Sequence, residues 1–177
     1  LIATAPARTG AVPADLTSVA DRDYFRHAVA TRQPFVSDVF QGRGLGNDLI
    51  VAISAPVLEP DGRVRSVVEG SLNLVTLSRE LARSHLAAAR DVVVVDRRDR
   101  VVCSVGKLAL APFTSFSEIS LAVAARNSNT PSFIHDQHRA GERHPEGQLA
   151  AFASVPGYGW RVFVQEPIWT TQQPVAV

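Results

Sequence analysis

Hydrophobic and polar positions alternate through this chain in two rounds of the same order, a pair of β-rich runs followed by a helical period. Leu49 to Leu58 and Val64 to Leu74 flank Glu59-Pro60-Asp61-Gly62-Arg63. Asp-Gly between two such runs predicts a β-hairpin. Past Leu74 the apolar spacing becomes helical, with Leu77, Leu81 and Leu86 inside and Glu80, Arg83 and Arg90 outside, which predicts a connecting helix over Thr76 to Ala89. The pattern then restarts. Asp91 to Val95 and Val101 to Val105 are β-branched runs around the charged turn Asp96 to Arg100. A helix is predicted within Pro112 to Arg126, capped by Ser115 or Ser117 with Glu118 in its first turn. Ser132 to Asp136, Gln148 to Val155 and Trp160 to Glu166 are further strands, the last two joined by Pro156-Gly157-Tyr158-Gly159.

The first round begins less regularly. Leu1 to Ala5 reads as a short strand ended by Pro6, and Ala7 to Thr17, with Gly10 and Pro13, as a loop. Val19 to Thr31 is the predicted helix, with Asp15, Thr17 and Ser18 as candidate caps. Phe35 to Phe40 alternates as a short strand, placing Phe35, Ser37 and Val39 on one face and Val36, Asp38 and Phe40 on the other. Gly42, Gly44 and Gly46 form a loop without the strand-to-helix setting of a dinucleotide fingerprint. The two halves are not a sequence repeat, but they read as two copies of one architecture.

Composition narrows the class. The 177 residues can bury one ordinary core or two small ones, and 46% apolar against 20% charged residues describes a folded domain. Net charge is +1, without the clustered basic face that nucleic acid requires. Cys103 is the single cysteine, in the strand-like Val101-Val102-Cys103-Ser104. No internal disulfide can form, and the thiol reads as a buried structural group. No stretch approaches the ~20 apolar residues that span a bilayer. The absence of any methionine suggests a portion of a longer protein.

Asp21-Arg22-Asp23-Tyr24-Phe25-Arg26 resembles the "DRxYF" segment of double Cache sensor domains. The resemblance continues through Ala55-Pro56-Val57, the Asp61-Gly62 turn and Val68-Glu69-Gly70-Ser71-Leu72-Asn73-Leu74. In the second half, Val92 to Val102 resembles the opening hairpin of the family's membrane-proximal module, and Val155 to Val162 its closing one. The resemblance implies an α+β fold of two PAS-like (Cache) modules, each an antiparallel sheet flanked by helices, joined by a connector helix. Residues 1–88 would be the membrane-distal, ligand-binding module and 89–177 the proximal one. The family's long first helix would lie before Leu1. A membrane helix and a cytoplasmic output (histidine kinase, diguanylate cyclase or chemoreceptor) would follow Pro167.

By the same resemblance the ligand lies between the distal sheet and the "DRxYF" element, with Arg22, Tyr24 and Phe25 on its side. Those residue types suit the task. Arginine holds a carboxylate with a planar fork of donors, tyrosine adds a hydroxyl, and phenylalanine packs on an aliphatic part. Arg22 could instead pair with Asp21, Asp23 or Asp38 while the aromatics serve the core. Amino-acid-binding members carry an aspartate on the last distal strand, and Ser71 stands at that position here. Glu69 and Asn73 share its strand face, and Glu69 could supply the missing charge. Otherwise a carboxylate ligand without an amine is expected, and the departure at Ser71 places an organic acid or another small polar molecule ahead of an amino acid. Phe40 and Ser54 join the candidate list by strand position.

His135, His138 and His144 lie near Asp136, Glu142 and Glu146, in a spacing that matches no zinc pattern, so no metal site and no cofactor are expected. Trp160 and Phe163 are expected in the proximal core. No nucleophile elbow, Glu-x-x-His helix or Cys-His pair points to an enzyme. The expected function is extracytoplasmic, periplasmic sensing of a small polar molecule (organic acid or amino-acid-like) by part of a membrane-anchored receptor, with a homodimer allowed. The alternative is a module that signals through dimerisation or protein partners.

Overall fold

The computed structural model describes residues 18–43, 46–85, 90–137 and 146–171. The predicted strand at Leu1 to Ala5, the caps Asp15 and Thr17, the residues Gly44, Leu86, His138, Glu142 and His144, and the end of the helix to Ala89 lie outside them. The chain divides into two compact units, 1–72 and 73–177. The division falls ahead of the boundary expected at residue 88, because the helix after Leu72 packs on the second unit's sheet.

In the first unit, helix α1 (Asp23–Thr31) precedes four strands: β1 (Phe35–Val36), β2 (Phe40–Gln41), β3 (Leu49–Leu58) and β4 (Val64–Asn73), of which only the last residue of β4 is counted with the second unit. Strand β3 is central, with β1 and β2 along one edge and β4 on the other. Its middle residues Val51 and Ala52 are wholly buried. The β3–β4 turn is the predicted one: Gly62 has φ +79° and donates to Glu59 O, and Glu59 N donates to Arg63 O at 2.8 Å. A positive φ there costs glycine little and other residues much.

The strand predicted over Phe35 to Phe40 is broken in two. Phe35 pairs with Ser54 and Val36 with Ile53, but Phe40 pairs with Ile50, so the register slips by one residue across 37–39. Ser37 holds the break. Its hydroxyl accepts from Ala52 N at 2.9 Å and donates to Asp38 O at 2.8 Å. The slip corrects the alternation read from sequence, because an extra residue returns the next side chain to the same face. Phe35 and Phe40, expected on opposite faces, both turn to α1: Phe35 stacks on His27 and Phe40 on Tyr24.

The second unit opens with α2 (Leu74–Ala82), followed by β5 (Asp91–Val95), β6 (Val101–Val105), α3 (Ser120–Asn127), β7 (Ser132–Gln137), β8 (Glu146–Val155), β9 (Trp160–Pro167) and the short α4 (Ile168–Thr171). The sheet order is β6-β5-β9-β8-β7 with every pairing antiparallel, the PAS-like arrangement expected. Val93, Val95, Val101, Phe116, Leu121, Ala122, Ala125, Ala150 and Phe163 form the core. Phe163 touches both Phe116 and Phe152, with ring centroids 4.8 and 5.7 Å apart, each pair worth ~0.5–1.5 kcal/mol beyond its burial. Trp160 is only half-buried.

Helix α3 starts later than the serine caps suggested. Residues before it are pinned to the start of β6 and the turn ahead of it, with Phe113 N donating to Val101 O and Phe116 N to Asp99 O, both at 2.7 Å. That pairing drives Phe116 into the core with no exposure, which outweighs a cap at Ser115 or Ser117. Among the described residues no helix is long and apolar enough to cross a membrane.

Candidate functional site

The "DRxYF" segment runs as an extended residue entering a helix. Arg22 is the residue before α1, at φ −76° and ψ 138°, and Asp23 follows in the first turn, where a carboxylate complements the helix dipole. The helix thus begins at Asp23 rather than Val19. Its geometry turns Tyr24 inward, at 8% exposure, and leaves Arg22 partly exposed beside it.

Arg22 does not pair with its neighbouring acids. Asp21 is bound by Arg43, and Asp23 by Arg26 at 2.8 Å. Arg22 instead lies over Phe40, its guanidinium carbon 4.9 Å from the ring centroid, and donates from Nη2 to Gln41 O at 3.2 Å. A guanidinium carries five N–H donors, so this anchoring sets its plane and keeps most of its fork for another acceptor. Phe40 is shared, its ring also 5.9 Å from that of Tyr24. The register slip at Ser37 is what brings Arg22, Tyr24 and Phe40 together.

Arg43 braces this end of the module, donating to Ser18 O at 2.6 Å as well as to Asp21. Its hydrogen bond holds the Asp21 carboxyl below its usual range. Gln41 and Arg43 were not on the list read from sequence. An arginine within the glycine-rich loop was the signal that could have found the second; Gln41 takes part through its carbonyl, which no side-chain pattern reveals.

Ser54 is 1% exposed and donates to Tyr24 O at 3.0 Å, so it fastens α1 to β3. Glu69 and Ser71 lie together on β4, the serine hydroxyl donating to Glu69 Oε1 at 2.8 Å. Burial, and after it the negative charge of Glu69, pushes the Tyr24 hydroxyl above its usual range, with Arg22 and Arg43 opposing. Asn73 caps α2, its Oδ1 accepting from Thr76 N at 3.0 Å, and falls in the second unit. Phe25 is partly buried on α1. An open depression of about 340 Å³ is lined by Ile53, Gly70, Ser71 and Leu72. It includes Ser71 but not the Arg22–Tyr24–Phe40 group. Among the described residues there is no cluster of groups fit to hold a metal ion.

Cys103 is 1% exposed, and burial pushes its thiol up to about 12. It is a core residue of β6 and no nucleophile.

No family model and no curated protein sequence matches the chain. Solved structures do. The ligand-binding domain of the Campylobacter jejuni chemoreceptor Tlp3 in complex with L-norvaline matches with a TM-score of 0.64 at 16% identity, over 90% of this chain and 57% of that one. The ligand-binding domain of the Pseudomonas aeruginosa amino acid chemoreceptor PctB, in complex with L-Arg, matches with a TM-score of 0.66 at 15% identity, over 96% of this chain and 68% of that one. The chain has the fold of a Cache-type sensor domain. Likeness at this level of identity carries the two-module α+β architecture, and the chain spans 57% of the Tlp3 domain.

Proposed function

We propose that this chain is the sensing portion of a membrane-anchored receptor and binds a small carboxylate-bearing molecule in its first module. The observation that carries the reading is the state of Arg22. Its acidic neighbours are held by other arginines, and its own plane is fixed by Phe40 and the Gln41 carbonyl. A preset guanidinium fork beside a tyrosine is suited to a carboxylate.

Among carboxylates, an α-amino acid fits best. Glu69 lies close enough for its charge to act on Tyr24, and it supplies an anion for an ammonium group although Ser71 stands where amino-acid-binding members carry aspartate. The Tlp3 and PctB domains, whose described complexes contain L-norvaline and L-Arg, support the same class. The module would face the extracytoplasmic side, and ligand binding would shift α1 against β3 to bias the output. Its role is sensing rather than catalysis.

A second reading, an interaction module, is favoured by the apolar side chains that the β3–β4 ribbon exposes: Ile53, Val57, Leu58 and Val68, the last at 61%. A thermal-shift screen against amino acids, organic acids, amines and purines separates the two. A ligand at 100 times its Kd adds ~2.7 kcal/mol to the module that binds it. Stabilisation by amino acids supports the first reading. Silence across the panel, with a concentration-dependent dimer by sedimentation, supports the second.

A further inference from the structure

The sheet of the second module carries a buried polar cluster on the same face as its aromatic core. Asp91, His135, Gln137, Gln148 and Gln165 are each at most 8% exposed. The register accounts for their direction. Asp91 pairs with Gln165, Gln165 with Ala150, Ala150 with Phe133, and Gln148 with His135. Side chains directly opposite in a sheet share a face, as do residues two apart on one strand. The polar groups therefore continue the face of Val93, Phe163, Ala150 and Phe133 toward one end of the sheet.

Their hydrogen bonds decide which atoms remain. Gln165 Nε2 donates to Asp91 Oδ2 at 3.0 Å and to Gln137 Oε1. Its Oε1 is then an acceptor, and His135 Nε2, 2.9 Å away, is the donor. In the neutral ring Nδ1 is left with a lone pair. It is buried and has no partner among the described residues. Gln148 donates Nε2 to Glu146 Oε2 at 3.1 Å, and its Oε1 is likewise buried without a described partner. Two unmet acceptors thus stand on residues that face each other across β7 and β8. Buried acceptors left unmade are costly, so such a pair calls for a donor.

Among the described residues, the charge around the cluster favours a cationic donor. The carboxylates of Glu146 and Asp91 border the cluster through Gln148 and Gln165, while the adjacent Arg90 is engaged by Glu166. We propose that His135 Nδ1 and Gln148 Oε1 form a second ligand site, in the second module, for a small ammonium donor: the ammonium ion or the head of a small primary amine. Its occupancy is linked to the chain's exit from the module, because the other oxygen of Glu146 accepts from Trp169 Nε1 of α4 at 2.9 Å.

The test is a titration of the ¹⁵N-histidine-labelled chain with ammonium chloride, then methylammonium chloride, against sodium chloride at constant ionic strength. The expected result is a saturable shift of the His135 Nδ1 resonance. Gln148→Leu should abolish it, and Gln148→Glu should lower the half-saturating concentration about tenfold through a charge-assisted bond. No saturable shift in the wild-type chain, or an equal shift in the folded leucine variant, would overturn the proposal and leave a buried water as the group that meets both acceptors. Neither outcome bears on Arg22, which belongs to the other module.

Discussion

The hydroxyl of Ser54 donates to the backbone carbonyl of Tyr24 at 3.0 Å, with Ser54 1% exposed. One side-chain bond from β3 thus fixes the helix turn that presents Arg22 and Tyr24. Replacing Ser54 by alanine removes this bond between helix and sheet, at a cost of ~0.5–1.5 kcal/mol. Thermal unfolding should show the first module's transition lowered by several degrees, with the second module's unchanged. Equal lowering of both transitions would contradict a role confined to the α1–β3 contact.

In the proposed site, Glu69 is the residue that would separate amino acids from simple acids. The Glu69→Gln variant should bind an α-amino acid roughly 10–100-fold more weakly, as a charged partner of the ammonium is lost. Binding of a monocarboxylate of the same length without the amine should hold or improve. Equal losses for both, measured by calorimetry, would remove Glu69 from the site.

Cys103 gives the second module an alkaline limit. Its folded thiol stands near 12 against an ordinary 9.0. A raised acid pKa means that the unfolded chain loses its proton first, so the stabilisation is complete below pH 9 and is lost as pH rises toward 12. Tyr24 contributes in the same direction in the first module, its hydroxyl being raised by burial and by Glu69. Urea unfolding at pH 8 and pH 10.5 should show the second module losing stability, and Cys103→Ala should flatten that slope. A slope unchanged in the alanine variant would assign it elsewhere.

Local signals were legible where chemistry is local. The Asp61-Gly62 hairpin and the β-branched runs of β5 and β6 formed as their residues dictate. The same sequence did not reveal the slip at Ser37, because a bulge depends on what the partner strand offers, and here Ala52 N is satisfied by a hydroxyl. That slip decides whether Phe40 meets Tyr24, so the centre of the candidate site was invisible to alternation alone. Helix α3 shows the same limit. Serines 115 and 117 are sound caps, yet pairing with β6 and burial of Phe116 delay the helix to Ser120. The polar cluster of the second module does have a trace in the sequence: His135, Gln148 and Gln165 fall in phase with Phe133, Ala150 and Phe163.

The central claim is that Arg22 receives a ligand carboxylate. Its most direct test is calorimetric titration of the wild-type chain and of Arg22→Gln with the tightest-binding amino acid from the screen. Loss of a charge-assisted contact of ~1.5–3 kcal/mol predicts about 10–100-fold weaker binding by the variant, with its thermal unfolding otherwise preserved. Unchanged affinity in a folded Arg22→Gln protein would contradict the account and move the site away from the "DRxYF" segment.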